Sequence, residues 1–151
     1  MKKVVIGSDH AGFALKEKIK KALGKQVEFI DVGTHSEESV DYPIYAEKVA
    51  DEVARNPELQ GVLVCGSGIG VTMAANKVPG IRAALAYSVN AARLSRQHNN
   101  ANVLAVPGRE GAMDDPLEIV QAFLATDFSG EERHARRVRQ IEDIEKHYGQ
   151  N

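Results

Sequence analysis

Three stretches of the chain concentrate residue types that can move protons or hold anions. They are Gly7-Ser8-Asp9-His10-Ala11-Gly12, Cys65-Gly66-Ser67-Gly68-Ile69-Gly70, and the segment from His98-Asn99-Asn100 to Pro107-Gly108-Arg109. In the second, glycines at 66, 68 and 70 leave backbone N–H groups clustered at a turn that leads into a helix. Such a turn cradles an anion or a developing oxyanion. Glycines alone also suit an ordinary tight strand-to-helix turn. Cys65 tips the balance, because a thiol at a strand end beside a helix N-terminus has its thiolate stabilised and can serve as base or nucleophile; the plainer alternative is a buried, inert cysteine. Asp9 and His10 are ambiguous, since Asp9 could simply cap a helix starting near Ala11 and His10 could be a surface residue. His98 closes a helix, and the asparagines after it could form only a turn. Arg133 and Arg137, spaced i,i+4, share a helix face close to the positive end of the dipole, which disfavours them. Either Glu131 and Glu132 offset that cost or the pair awaits an anionic ligand. Ser129 and Glu132 have the spacing of a capping box just ahead of the pair.

Other chemistries fail on residue identity. His35, His134 and His147 show no ligand spacing with each other or with carboxylates, so no metal site is assigned. Gly7 and Gly12 have the outer spacing of a phosphate loop, but Phe13 stands where the lysine is required, which excludes ATP hydrolysis by a Walker-type loop. Asp31 lies about 20 residues beyond the first turn, as the ribose-binding carboxylate of a dinucleotide fold does. That turn lacks GxGxxG and offers Asp9 where pyrophosphate would sit, so NAD is a poor second reading.

Positioning such residues needs a scaffold, and the apolar pattern supplies one. Short runs at Val4–Ile6, Val27–Ile30, Val62–Val64, Ala83–Ala86 and Val103–Val106 alternate with longer amphipathic segments. Leu15, Ile19, Ala22 and Leu23 recur at helical spacing, lysines including Lys16 and Lys20 fill the other face, and Gly24 stops the helix. Asp41 as N-cap, Pro43 in the first turn, and Tyr45, Val49, Ala50 and Val53 on one stripe predict a second helix. Further helices are expected from about Ile69 to Lys77, Asn90 to His98, Pro116 to Leu124 and Glu131 to Tyr148. Strand-helix alternation without hairpin signals predicts a three-layer, Rossmann-like α/β fold: a five-stranded parallel sheet with helices on both faces and a long C-terminal helix. In such sheets ligands bind beyond the carboxyl ends of the strands, where strand order switches direction. The chemistry-bearing stretches fall at those ends.

Composition sets the outer limits. A length of 151 residues, with no internal repeat and no linker, predicts one domain spanning 1–151. Hydrophobic residues at 43% and charged residues at 26% argue against disorder or coiled coil. Nineteen Lys+Arg against 21 Asp+Glu leave a net charge of −2, too balanced for non-specific binding to nucleic acid. One cysteine precludes an internal disulfide and points to a reducing cytoplasm. No apolar stretch is long enough for a signal peptide or a membrane span.

The ordered set GSDHAG, DYP at Asp41-Tyr42-Pro43, CGSGIG, AANK at Ala74–Lys77, GIRAAL at Gly80–Leu85 and LSRQHNNANVLA at Leu94–Ala105 resembles the type B ribose-5-phosphate isomerases, which are grouped with the galactose-6-phosphate and allose-6-phosphate isomerases. The resemblance covers essentially the whole chain. It implies a cofactor-free aldose-ketose isomerase that shifts a proton between C2 and C1 through a cis-enediolate. By that likeness Cys65 is the base, Ser67 with the amides of Gly66, Gly68 and Gly70 holds the enediolate oxygen, and His98 opens the furanose ring. Asp9 handles hydroxyl protons, His10, Tyr42 and Asn99 contact the sugar, and Arg109, Arg133 and Arg137 grip the phosphate. It further implies a homodimer or dimer of dimers with sites shared between subunits, for which the helix bearing Val138, Ile141 and Ile144 is a candidate contact. Many relatives have CGTG where this chain has CGSG, which keeps the hydroxyl and loosens the pocket. A second branch replaces the cysteine's role with a glutamate at the position of Val71, so this chain falls in the cysteine branch. Three rival readings accompany it: an isomerase of six-carbon sugar phosphates, a thiol hydrolase using Cys65, His98 and Asp9, and a non-catalytic sugar-phosphate binding module.

Overall fold

A computed structural model describes residues 1–149. Five strands, β1 (Lys2–Ser8), β2 (Val27–Asp31), β3 (Gln60–Cys65), β4 (Ala83–Leu85) and β5 (Val103–Pro107), form one sheet in the order β2-β1-β3-β5-β4. Every pairing is parallel, as the absence of hairpin signals requires. The helices are α1 (Phe13–Leu23), α2 (Tyr42–Arg55), α3 (Ile69–Ala75), α4 (Val89–Gln97), α5 (Pro116–Ala125) and α6 (Glu132–Tyr148). The expected Rossmann-like α/β architecture is the one observed.

Side-chain alternation along the strands divides the core into two halves. Val4, Ile6, Val62, Val64, Leu104 and Val106 pack with Ile19 of α1 and Ile119, Val120 and Phe123 of α5. Val5, Leu63, Cys65, Val103 and Ala105 face the other way, onto Ala46, Val49 and Val53 of α2 and Val71 and Ala75 of α3. Each fully buried aliphatic side chain contributes roughly 1.5–3 kcal/mol. Cys65 is therefore the last core residue of its strand on the α2/α3 face, held rigid from below. The chain leaves β1 for β2 on one side and returns to place β3 on the other, so the strand order switches between β1 and β3. Asp9 and Cys65 stand at that switch.

Several local expectations are corrected. Lys16, read as a solvent-face residue, is fully buried, and its ammonium lies 2.6 Å from Asp31 Oδ2. Lys20 reaches the same oxygen at 2.7 Å, and the Gly33 N–H donates to Asp31 Oδ1 at 2.8 Å. Burial alone would push the Asp31 carboxyl up; the hydrogen bonds from Lys16, Lys20 and Gly33 outweigh it and hold the carboxyl below its usual range. Asp31 is thus consumed by structure, which removes the carboxylate on which the dinucleotide reading depended. Asp41 occupies the N-cap of α2, but its side chain makes no capping bond. The capping box at Ser129 does not form: Glu131 is the N-cap residue of α6, and Ser129 Oγ meets His134 Nδ1 at 2.9 Å instead. Near Ala11 the chain first makes a turn in which Asp9 Oδ1 accepts the Gly12 N–H at 3.0 Å, the capping-type bond expected of Asp9, and α1 itself begins two residues later at Phe13.

Candidate active site

The carboxyl ends of β1, β3 and β5 and the first turns of α2 and α3 enclose an open crevice of about 470 Å³. Asp9, His10, Tyr42, Cys65, Gly66, Ser67, Gly70 and Arg109 line it. Cys65 is only 4% exposed, which puts the thiol on the crevice floor. The Gly68 N–H donates to its Sγ at 3.2 Å, so the donor expected at the helix start is aimed at the sulfur itself. Gly68 is the N-cap of α3 with φ +80°, and a Cβ there would come within 2.6 Å of Leu85 Cδ1. Only glycine satisfies both conditions.

The neighbouring groups are also oriented by the backbone. Ser67 Oγ accepts the Ile69 N–H at 3.1 Å, which leaves its own O–H free to donate elsewhere. With the Gly68 and Ile69 amides so engaged, the N–H groups of Gly66, Ser67 and Gly70 are the turn's donors without an acceptor among the described residues. Gly70 has a different reason to be glycine: a Cβ there would lie 2.5 Å from Tyr42 Cε1, so its bareness lets the Tyr42 ring lie over the first turn of α3. His10 Nδ1 accepts the Val40 N–H at 3.1 Å, so the neutral ring carries its proton on Nε2 as a donor. Asp9 is 6% exposed. The loops are laced together by Gly108 N–H to Cys65 O at 2.8 Å and Arg109 N–H to Gly66 O at 3.1 Å. The exposed Arg109 side chain makes no hydrogen bond or ion pair among the described residues.

The remaining sequence candidates lie elsewhere on the chain. His98 is the exposed C-cap of α4, and its ring stacks on that of His134 with centroids 4.3 Å apart. Asn99 lines a separate cleft beside Ile141, Ile144 and Tyr148. Arg133 and Arg137 project from the exposed face of α6. Arg133 reaches Glu131 at 3.4 Å, and Glu132 is taken by Arg136 and Arg139, which leaves Arg137 without a carboxylate among the described residues.

A family model described as Ribose/Galactose Isomerase matches residues 4–141. The chain belongs to that family. Ribose-5-phosphate isomerase B of Escherichia coli (strain K12) is 46% identical over 147 residues, which cover 97% of this chain and 98% of that protein. Among solved structures, ribose-5-phosphate isomerase B of Clostridium thermocellum matches with a TM-score of 0.90 at 49% identity, covering 97% of this chain and 99% of the other. The Mycoplasma genitalium ribose-5-phosphate isomerase B, solved with bound ribulose-5-phosphate, matches with a TM-score of 0.89 at 44% identity over 95% of this chain and 96% of its own.

Family membership fits the parallel sheet and its carboxyl-end crevice. Two neighbours of the candidate residues escaped the sequence reading. His134, considered only as a metal ligand, is 5% exposed and packs on His98. Burial, and then the nearby His98 and Arg133, push its imidazole below the ordinary 6.5, with Glu131 opposing. Its position between Arg133 and Arg137 was the available signal. Tyr87 donates its hydroxyl to Ser67 O at 2.8 Å across twenty residues of sequence, a contact with no local signature.

Proposed function

We propose that the chain, acting as one domain over 1–151, interconverts ribose 5-phosphate and ribulose 5-phosphate. The observation that carries this is the Cys65 sulfur on the floor of a carboxyl-end crevice, with a backbone N–H directed at it. As thiolate, Cys65 takes the proton from C2 of the open-chain aldose. The C2–H electron pair becomes the C1–C2 double bond, and the carbonyl π pair moves to O1. The Ser67 O–H and the unpartnered N–H groups of Gly66, Ser67 and Gly70 stabilise that oxygen as its charge develops. The thiol then returns the proton to C1, while the O2 proton passes to O1 through Asp9, leaving the ketone at C2. No electrons leave the substrate, so the chemistry calls for no redox partner and is assigned no metal. His10 Nε2–H and Tyr42 contact the sugar, and Arg109 meets the phosphate.

Among the described residues the crevice of one chain holds a single arginine, Arg109, for a dianion, and the imidazole assigned to ring opening, His98, lies outside it. This supports a homodimer, or a dimer of dimers, in which His98, Asn99, Arg133 and Arg137 of one subunit complete the crevice of another. Ile44, Ile69 and Met73, each about half exposed or more at or near the crevice rim, give such a contact apolar area. The relatives reported above are isomerases, which favours proton transfer over the acyl transfer of the thiol hydrolase reading as the work of Cys65. The relatives named for ribose 5-phosphate favour the five-carbon substrate over the six-carbon alternative. Among the described residues no helix is long and apolar enough to cross a membrane, and the free thiol suits the cytoplasm.

The test is conversion of ribose 5-phosphate in deuterated water, followed by NMR. Ketose should form, with solvent deuterium at C1 to the extent that the thiol exchanges its proton. Cys65→Ala should lose turnover while retaining phosphate binding; full activity in Cys65→Ala would remove the thiol from the mechanism.

A further inference from the structure

We propose that Tyr87 is a positioning residue that holds the thiolate-stabilising peptide in place, an inference that rests on the reading of Cys65 as the base. The Tyr87 hydroxyl donates to Ser67 O at 2.8 Å, and the Gly68 N–H donates to Cys65 Sγ at 3.2 Å. Ser67 O and Gly68 N are the two ends of one peptide group. In a trans peptide they point in opposite directions. Anchoring the oxygen therefore fixes the direction of the N–H.

The orientation matters because it is reversible in principle. Gly68 sits at φ +80° and carries no Cβ to resist rotation of the peptide that precedes it. A flip would replace the N–H facing the sulfur with a carbonyl oxygen, turning a stabilising dipole into a repelling one. The phenol opposes that flip, and by donating to the carbonyl it also polarises the peptide and strengthens the N–H as a donor. Tyr87 is itself well seated. Its carbonyl accepts the Met113 N–H at 2.7 Å, and its ring lies against Gly111, where a Cβ would be 3.3 Å away. It thus ties the thiol turn to the loop that carries Arg109.

Tyr87→Phe removes the donor and keeps the ring. The chain has one cysteine, so the pH dependence of its alkylation by iodoacetamide reads Cys65 alone. The charged and titratable groups around the crevice are Asp9 and His10 after β1, Tyr42 opening α2 and Arg109 after β5, and all are unchanged in the variant. We expect the midpoint of alkylation to move up by about half a unit to one unit, the size of one lost hydrogen bond. The ascending limb of the kcat profile should move with it. At pH 7 kcat should fall about 3- to 10-fold with KM for ribose 5-phosphate nearly unchanged. A variant that only loosened the fold would instead raise KM and leave the alkylation midpoint in place. If the phenylalanine variant does not fold, 4-fluorophenylalanine at position 87 fills the phenol's volume with an atom that cannot donate. An unmoved alkylation midpoint in a folded variant overturns the proposal. A moved midpoint in a chain whose Cys65→Ala form stays active keeps the Tyr87 contact and discards the thiol as base.

Discussion

His134 shows how a single side chain can be tuned by what it touches. It stacks on His98, meets Ser129 Oγ at 2.9 Å and is nearly enclosed, so its neutral form is favoured. A histidine whose folded value is depressed stabilises the fold above its unfolded value near 6.5 and loses that contribution as pH falls, because the unfolded chain then binds the extra proton. We expect Tm to drop between about pH 7 and pH 5, and His134→Gln to flatten that part of the curve; an unchanged slope would remove His134 as its source. The same region shows why residue roles were unevenly legible. Cys65 beside three glycines stands out as a candidate through local spacing. His134 and Tyr87 do not, because the partners that define them, His98 and Ser67, lie far off in sequence and are brought near only by the fold.

At the scale of elements, α1 is fastened to β2 by charge as well as by apolar packing. Lys16 Nζ is fully buried between Asp31 and the ring of Phe13, and among the described residues its only other anion is Glu17 at 3.5 Å, about half exposed. Asp31→Ala should therefore cost about 3–5 kcal/mol, since it leaves an ammonium buried without its main partner. Lys16→Met should cost about 1 kcal/mol or less, because Asp31 keeps Lys20 and the Gly33 N–H. Urea unfolding of both variants decides the point, and equal losses would show that the pair is not asymmetric. The strands and helices were readable from apolar periodicity because burial on both faces of a parallel sheet demands β-branched runs. The inward Lys16 was not, since a charge at a helical position looks solvated until its carboxylate is found on another element. The cap details at Ser129 and Asp41 also differ: the Ser129 hydroxyl meets the His134 ring in the first turn of α6, and the Asp41 side chain makes no capping bond.

For the whole molecule, the proposal that sites are built from two chains is tested directly by complementation. Cys65→Ala and His98→Asn should each be inactive alone. Mixed by co-expression, they should regain about a quarter of wild-type activity, since half of randomly paired dimers carry one intact site of two. No recovery from two folded variants would place both residues in the same chain's site. The helix that carries Arg133 and Arg137 adds a consequence. Of its seventeen residues only His134 and Val138 are buried, and its far end is tied down by Glu145 to the Gly80 N–H and by Glu142 to Arg82. If sites are shared as proposed, an arm so lightly moored in a solitary subunit gains its footing when a second subunit packs against it. The hold on phosphate then becomes a collective property: crowded molecules would grip their substrate and scattered ones release it, so that the amount of protein present tunes its own affinity.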